Sequence, residues 1–349
     1  MNLDTLEATA RYLVSSGRGI LAADESNASA QKRFDAVGVE STPENRRLYR
    51  QVLLTTPEAK NALSGVIFYD ETFWQNADSG RPLREVVAEK GVLPGIKLDE
   101  GLVDLPGFPN EKVSKGLDTL PERLPKYREA GAKFTKWRSV FAVDGEVPTK
   151  ECIDANAFVL ARYARLSQDF DIVPIVEPEV LFDGTHTGER VEEVLRRVFD
   201  VLFRMMKAYR VHLPGAILKT SMVLPGKDSG IAINAQDVSL RTVRVLHGHV
   251  PKELGGVVFL SGGQTPDDAF KNLHAIAEKG PHPWGVTFSY SRALQDPVLK
   301  YWAQHREDTK GAQTIFAQQL KDAVAASLGK YHSAKEWERS AFVSEGQDL

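Results

Sequence analysis

Cysteine is nearly absent from this chain. Cys152 is the single one in 349 residues, so no internal disulfide forms and a packed core must hold the fold. A surplus of either charge is missing too. Lys and Arg total 44 against 47 Asp and Glu, a net charge of −3, which leaves no positive field to gather nucleic acid or an anionic membrane. No apolar run nears the ~18 residues of a transmembrane helix. The opening Met1–Glu7 stretch lacks the basic-then-apolar order of a secretory signal. Linkers rich in Gly and Ser, charge blocks, low-complexity tracts and close repeats are absent as well. The expectation is a cytoplasmic protein with neither nucleic-acid nor membrane partners. What is present is 42% apolar and 26% charged sequence, enough for a large core and too apolar for disorder.

Eight short runs rich in Ile, Val and Phe recur along the chain. They are Gly19–Ala23, Gly65–Tyr69, Pro94–Leu98, Phe134–Phe141, Ile172–Val176, Ala216–Val223, Gly255–Leu260 and Trp284–Tyr290. Each has strand length, and amphipathic segments separate them. Ala157-Leu160-Ala161-Ala164 and Val194-Val198-Val201-Leu202-Met205-Met206 have the three-to-four spacing of a buried helix face. Eight strands alternating with helices predict an α/β fold, a single (β/α)8 TIM barrel over residues 1–330. An extra helix precedes Gly19, a final helix covers Gly311–Leu328, and residues 331–349 read as a C-terminal tail. A doubly wound open sheet is the rival with the same strand count.

Charges inside buried parallel strands need a reason. Here they gather at the strands' C-terminal ends: Asp24-Glu25-Ser26, Lys97 with Asp99, Lys136-Trp137-Arg138, Glu177-Pro178-Glu179, Lys219, Ser261-Gly262-Gly263 and Ser289-Tyr290-Ser291-Arg292. Period-two alternation puts Lys136 and Arg138 on one face and Glu177 and Glu179 on one face, with Trp137 and Pro178 turned toward the helices. One ion pair alone reads as structural. Polar groups on seven strand ends point instead to chemistry at the barrel mouth. Ser261-Gly262-Gly263 after the seventh strand and Arg292 after the eighth match the usual phosphate site of such barrels, where backbone N–H groups and a guanidinium meet a dianion. Ser26, Ser29 and Arg33 either cap and solvate the first helix or hold a second phosphate; the residues alone leave both readings open. No strand end carries a histidine. His247 and His249 fall near a helix end, so metal ligands are not expected, and no nucleotide-binding glycine fingerprint is present.

Laid out this way, the chain resembles class I fructose-bisphosphate aldolases from about Leu13 to Tyr331. The motifs that carry the likeness include Gly19-Ile20-Leu21-Ala22-Ala23-Asp24-Glu25-Ser26, Glu44-Asn45-Arg46-Arg47, Gly95-Ile96-Lys97-Leu98-Asp99 and Lys136-Trp137-Arg138. Val173 through Glu179, Leu218-Lys219, Phe259 through Gln264 and Thr287 through Gln295 continue it in the same order. The resemblance implies a lyase that reversibly cleaves fructose 1,6-bisphosphate to dihydroxyacetone phosphate and glyceraldehyde 3-phosphate, in glycolysis and gluconeogenesis. It implies an imine on Lys219, no metal and no cofactor, and a homo-oligomer, with a tetramer favoured. By the same likeness Lys136 is the cationic neighbour and Glu177 the proton-handling carboxylate. Asp24 and Glu179 are further site residues, Asp24 beside the cleaved bond. Ser261, Gly262, Ser291 and Arg292 belong to the C1 phosphate, and Ser26, Ser29 and Lys97 to the C6 phosphate. Arg33 and Arg138 lie close to the substrate.

Three departures stand out. Ser291 occupies a position where the family usually has glycine. Thr220-Ser221 follows Lys219 where many members have proline and asparagine. The chain ends Gly346-Gln347-Asp348-Leu349, whereas animal members end in a proton-exchanging tyrosine; the last tyrosine here is Tyr331. Glu177 or a tail residue is then left to protonate the enamine. A cation such as Lys136 would help an imine-forming lysine shed its proton, and a paired carboxylate would work against it. A phosphosugar isomerase and a non-catalytic scaffold on the same barrel are the rival functions. Preference among fructose 1,6-bisphosphate, fructose 1-phosphate and sedoheptulose 1,7-bisphosphate stays open.

Overall fold

The eight apolar runs become the eight strands of one closed parallel barrel. In the computed structural model, which describes residues 1–332, the strands are β1 (Gly19–Ala23), β2 (Leu63–Phe68), β3 (Leu93–Lys97), β4 (Leu102–Asp104), β5 (Lys112–Ser114), β6 (Phe134–Phe141), β7 (Val173–Val180), β8 (Ile217–Thr220), β9 (Gly256–Phe259) and β10 (Val286–Tyr290). The barrel runs β1-β10-β9-β8-β7-β6-β3-β2 and closes through Ile20 opposite Ser289. That pairing removes the open-sheet alternative.

Several strands differ from expectation in length, β7 and β8 by the most. β7 runs on to Val180, because Glu177, Pro178 and Glu179 stay in register with Arg138, Ser139 and Val140 of β6. The charges that seem to end the apolar run are held inside the ladder. β8 stops at Thr220, short of Val223. The antiparallel pair β4–β5 was not anticipated; its three-residue strands are too short to show a period. It follows β3 and offers Ser114 Oγ as acceptor for Trp137 Nε1 at 2.7 Å, on the helix side of β6.

The core has two layers. Outside the barrel, helices pack on the strands along their apolar faces. Ala157, Leu160, Ala161 and Ala164 are all buried in the helix Lys150–Asp169. In the helix Gly188–Ala208, Val194, Val198, Leu202 and Met206 are buried, while Val201 and Met205 are only partly covered. Thr149, Thr187 and Thr265 each cap a barrel helix through the side-chain oxygen. Inside, Ile20, Ile67, Val173, Ile175, Ile217 and Val258 meet Leu6, Ala10 and Leu13 of the helix Leu3–Leu13. Several of these lie at strand starts, so the extra helix plugs the end of the barrel opposite the charges. Leu6 and Leu13 are fully buried, worth about 2 kcal/mol each. Phe134 fills the interior only because β3 has a glycine beside it; a Cβ on Gly95 would lie 2.4 Å from the ring.

The final helix spans Thr309–Ser327. Tyr331 is anchored on the helix Pro266–Ala277, its hydroxyl donating to Asp267 at 2.9 Å. The rest of the tail expected from Tyr331 onward, past His332, lies outside the described residues.

Candidate active site

Strand alternation and barrel closure together deliver fourteen separated residues to one place. A cavity of about 1160 Å³ at the C-terminal ends of the strands is lined by Asp24, Ser26, Ser29, Arg33, Lys97, Lys136, Arg138, Glu177, Glu179, Lys219, Ser261, Gly262, Ser291 and Arg292. Every candidate residue named from the sequence is among them.

At its centre a buried charge chain crosses three strands and the end of a fourth. Lys136 Nζ lies 2.6 Å from Asp24 Oδ2 and 2.9 Å from Glu177 Oε2. Glu177 Oε1 lies 3.0 Å from Lys219 Nζ. The carboxylate that would oppose deprotonation of Lys219 thus stands between the two lysines. Lys136, Glu177 and Lys219 are each under 5% exposed and Asp24 is 8% exposed. Removing one partner from such a chain leaves a buried charge unpaired, which is far more costly than losing a surface pair.

Burial drives the Asp24 and Glu177 carboxyls toward protonation, but Lys136, and then Lys219, outweigh it and hold both below the usual carboxylate range. Burial likewise disfavours charge on Lys136, and the Asp24 and Glu177 carboxylates more than reverse that, so Lys136 is held cationic. Beside this chain Glu179 pairs with Arg138, and Arg138 N donates to Asp99 Oδ2 at 3.2 Å. Asp99 also holds Lys97 at 2.6 Å.

The seventh and eighth strand ends form a backbone cradle. Gly262 sits where a Cβ would lie 3.3 Å from Glu179 Oε1. Gly263 has φ +78°, and a Cβ there would lie 2.0 Å from Phe182. Ser261 Oγ accepts from Ala293 N at 3.4 Å, tying the cradle to the helix Arg292–Gln304. Across the mouth, Ser26 caps the helix Asn27–Asp35 by accepting from Ser29 N at 3.3 Å, so the capping reading is realised here. Arg33 is turned onto Glu25 and onto Asp296 at 2.8 Å.

Ser291 does something the sequence did not foretell. Its hydroxyl donates to Glu25 Oε1 at 2.5 Å and is therefore committed to protein. Among the lining residues that sequence reasoning did not assign to the site are Ser289 and Asp99. Ser289 is buried, faces the interior with Thr287, and its Oγ has no hydrogen-bond partner among the described residues. Strand parity within β10 was the signal that could have found it. Asp99, a strand-end charge in the sequence, shares the cavity wall.

The histidines stay away from this cavity. His247 and His249 end the helix Ala235–His249; His247 contacts His282 at 3.1 Å and His249 contacts Asp200 at 2.7 Å. Among the described residues no group of three or more His, Cys, Asp or Glu is placed to hold a metal ion, and no helix is long and apolar enough to cross a membrane.

Comparisons with known proteins bear on the family and the fold. The family model for class-I fructose-bisphosphate aldolase matches residues 5–346. A probable fructose-bisphosphate aldolase class 1 of Xylella fastidiosa is 44% identical over 335 residues, covering 95% of this chain and 99% of the relative. Fructose-bisphosphate aldolase 4, cytosolic, of Arabidopsis thaliana is 45% identical over 93% of this chain and 83% of its own length. Among solved structures, the Plasmodium falciparum fructose-bisphosphate aldolase in complex with TRAP and a small-molecule inhibitor superposes with a TM-score of 0.92. It is 42% identical, over 95% of this chain and 96% of that one.

Proposed function

This chain belongs to the class-I fructose-bisphosphate aldolase family, and on that footing we propose how its own residues divide the work of reversible C–C cleavage. The family's chemistry needs a lysine imine and no metal. The observation that carries the assignment is the chain Lys219–Glu177–Lys136–Asp24, buried and continuous at the centre of the cavity.

Lys219 is the nucleophile. It must attack as a neutral amine, and Glu177 Oε1 at 3.0 Å is ionised and positioned to accept the proton it sheds. Attack on the C2 ketone gives a carbinolamine; Glu177 returns a proton to the departing hydroxyl, water leaves, and a protonated imine remains. Asp24 then takes the C4 hydroxyl proton. The C3–C4 electrons move into the imine, the aldehyde product departs, and an enamine stays on Lys219. Protonation at C3 and hydrolysis release dihydroxyacetone phosphate. Lys136, held cationic between Asp24 and Glu177, stabilises both carboxylates as their charge changes. Glu179 orients Arg138 toward the substrate.

The phosphate ends divide the same way. Ser261, Gly262 and Arg292 hold the C1 phosphate, with the N–H groups around Ser291 and Ser289 Oγ facing it. Ser26, Ser29 and Lys97 hold the C6 phosphate, with Arg33 and the helix dipole of Asn27–Asp35 behind. We also place the protein in the cytosol, on its likeness to the cytosolic Arabidopsis relative, and as a homo-oligomer, a tetramer by family resemblance, which sedimentation would test. Borohydride reduction in the presence of dihydroxyacetone phosphate, followed by peptide mapping, tests the central assignment. The adduct belongs on Lys219; an adduct elsewhere removes it.

A further inference from the structure

We propose that Ser291 is a positioning residue: by pinning Glu25 it fixes the turn that carries Ser26, Ser29 and Arg33, and so sets how strongly the enzyme prefers a substrate phosphorylated at both ends. The inference rests on the assignment of that turn to the C6 phosphate.

Ser291 stands at the N-cap of the helix Arg292–Gln304 but makes no side-chain cap. Its hydroxyl reaches across the barrel seam instead, donating to Glu25 Oε1 at 2.5 Å and accepting from Gln295 Nε2 at 3.1 Å. The same Glu25 oxygen accepts from Gln295 Nε2 at 2.9 Å and from Arg33 Nη1. Gln295 Nε2 also reaches Ala22 O of β1 at 2.7 Å, and Arg50 Nη2, 3% exposed, donates to Glu25 O at 2.8 Å. Glu25 is thus held by its carbonyl from behind and by its carboxylate from the last strand's loop. It immediately precedes Ser26, the cap on which Ser29 leans, and it fixes one edge of the Arg33 guanidinium.

Glycine, usual here in the family, has no hydroxyl to give. The backbone does not ask for one, since φ at Ser291 is −106°. A hydroxyl donated to a carboxylate is among the stronger hydrogen bonds. Without it Glu25 keeps Gln295 and Arg33, but the short link between the two phosphate loops is gone. A substrate with a far phosphate gains from a fixed turn; one without it gains little.

The test measures kcat/KM on fructose 1,6-bisphosphate and on fructose 1-phosphate for the wild type and for Ser291→Gly, Ser291→Ala, Ser291→Thr and Ser29→Ala. Rates are normalised to the fraction trapped by borohydride, so poorly folded protein does not count. The bisphosphate-to-monophosphate ratio is expected to fall about tenfold in the Gly and Ala variants and to recover in Ser291→Thr. A ratio that moves in Ser29→Ala but not in Ser291→Ala overturns the tie and leaves the phosphate assignment standing. A ratio moved by neither overturns both. An equal fall on both substrates in Ser291→Ala also overturns the proposal, because it puts Ser291 on the shared C1 phosphate.

Discussion

Lys219 Nζ lies 3.0 Å from Glu177 Oε1, across β8 and β7, one residue beyond the paired Val176 and Leu218. The contact is a consequence of register. A slip of one residue in either strand would turn its charge toward the helices and bring an apolar neighbour inside. Chemistry at this lysine therefore depends on backbone pairing at the middle of the barrel as much as on the side chains.

Lys219→Met should abolish cleavage, because a thioether cannot form an imine. Steady-state kcat and borohydride trapping should both be lost. Retention of more than about a tenth of the wild-type kcat would remove Lys219 as nucleophile.

Glu177→Gln keeps the shape and loses the proton carrier. Its kcat should fall about 10²- to 10⁴-fold, with slow imine formation seen in single-turnover trapping. If trapping stays fast while kcat falls, Glu177 serves a later step.

Asp24 and Glu177 give the fold a signed pH dependence. Both are held below the ordinary carboxylate range in the folded protein, burial opposing and the lysines prevailing. Their contribution is present above the unfolded values of about 4 and is lost as pH falls through the folded ones. Asp24→Asn should flatten the dependence of Tm on pH below about pH 4.5, where the wild type loses stability. Parallel Tm curves for the two proteins would contradict this.

Gly263→Ala should destabilise by about 1–3 kcal/mol, because φ is +78° and the new Cβ would lie 2.0 Å from Phe182. Denaturant unfolding would show it. Binding of the C1 phosphate should weaken with it, read as a higher KM for fructose 1-phosphate.

Activity should survive EDTA, since imine chemistry needs no metal. Loss on chelation with recovery on adding zinc would contradict the Lys219 mechanism.

Much of this was legible from the residues. Parallel strands buried on both faces leave continuous Ile, Val and Phe runs, and charges at their ends stand out against them, so Lys136, Glu177 and Lys219 could be placed on a common mouth. Parity could say which face a charge takes, but not which charge stands between two others; that Glu177 separates the lysines depends on the stagger of β6, β7 and β8. The β4–β5 pair left no trace because three residues carry no period. Ser291 and Ser289 were hard to read for another reason. A hydroxyl in a strand or at a helix start is ordinary; parity turns Ser289 inward, but only the closure of β10 on β1 brings Ser291 to Glu25.

That closure also fixes when the enzyme comes into being during synthesis. Asp24 is made near the beginning and Arg292 near the end, and β1 finds its second neighbour only when β10 emerges. Until then β1 and β9 present unsatisfied edges, each able to recruit a foreign strand. A chain ending before Val286 would therefore be an open seven-stranded sheet with two free edges, and not a slower version of the catalyst.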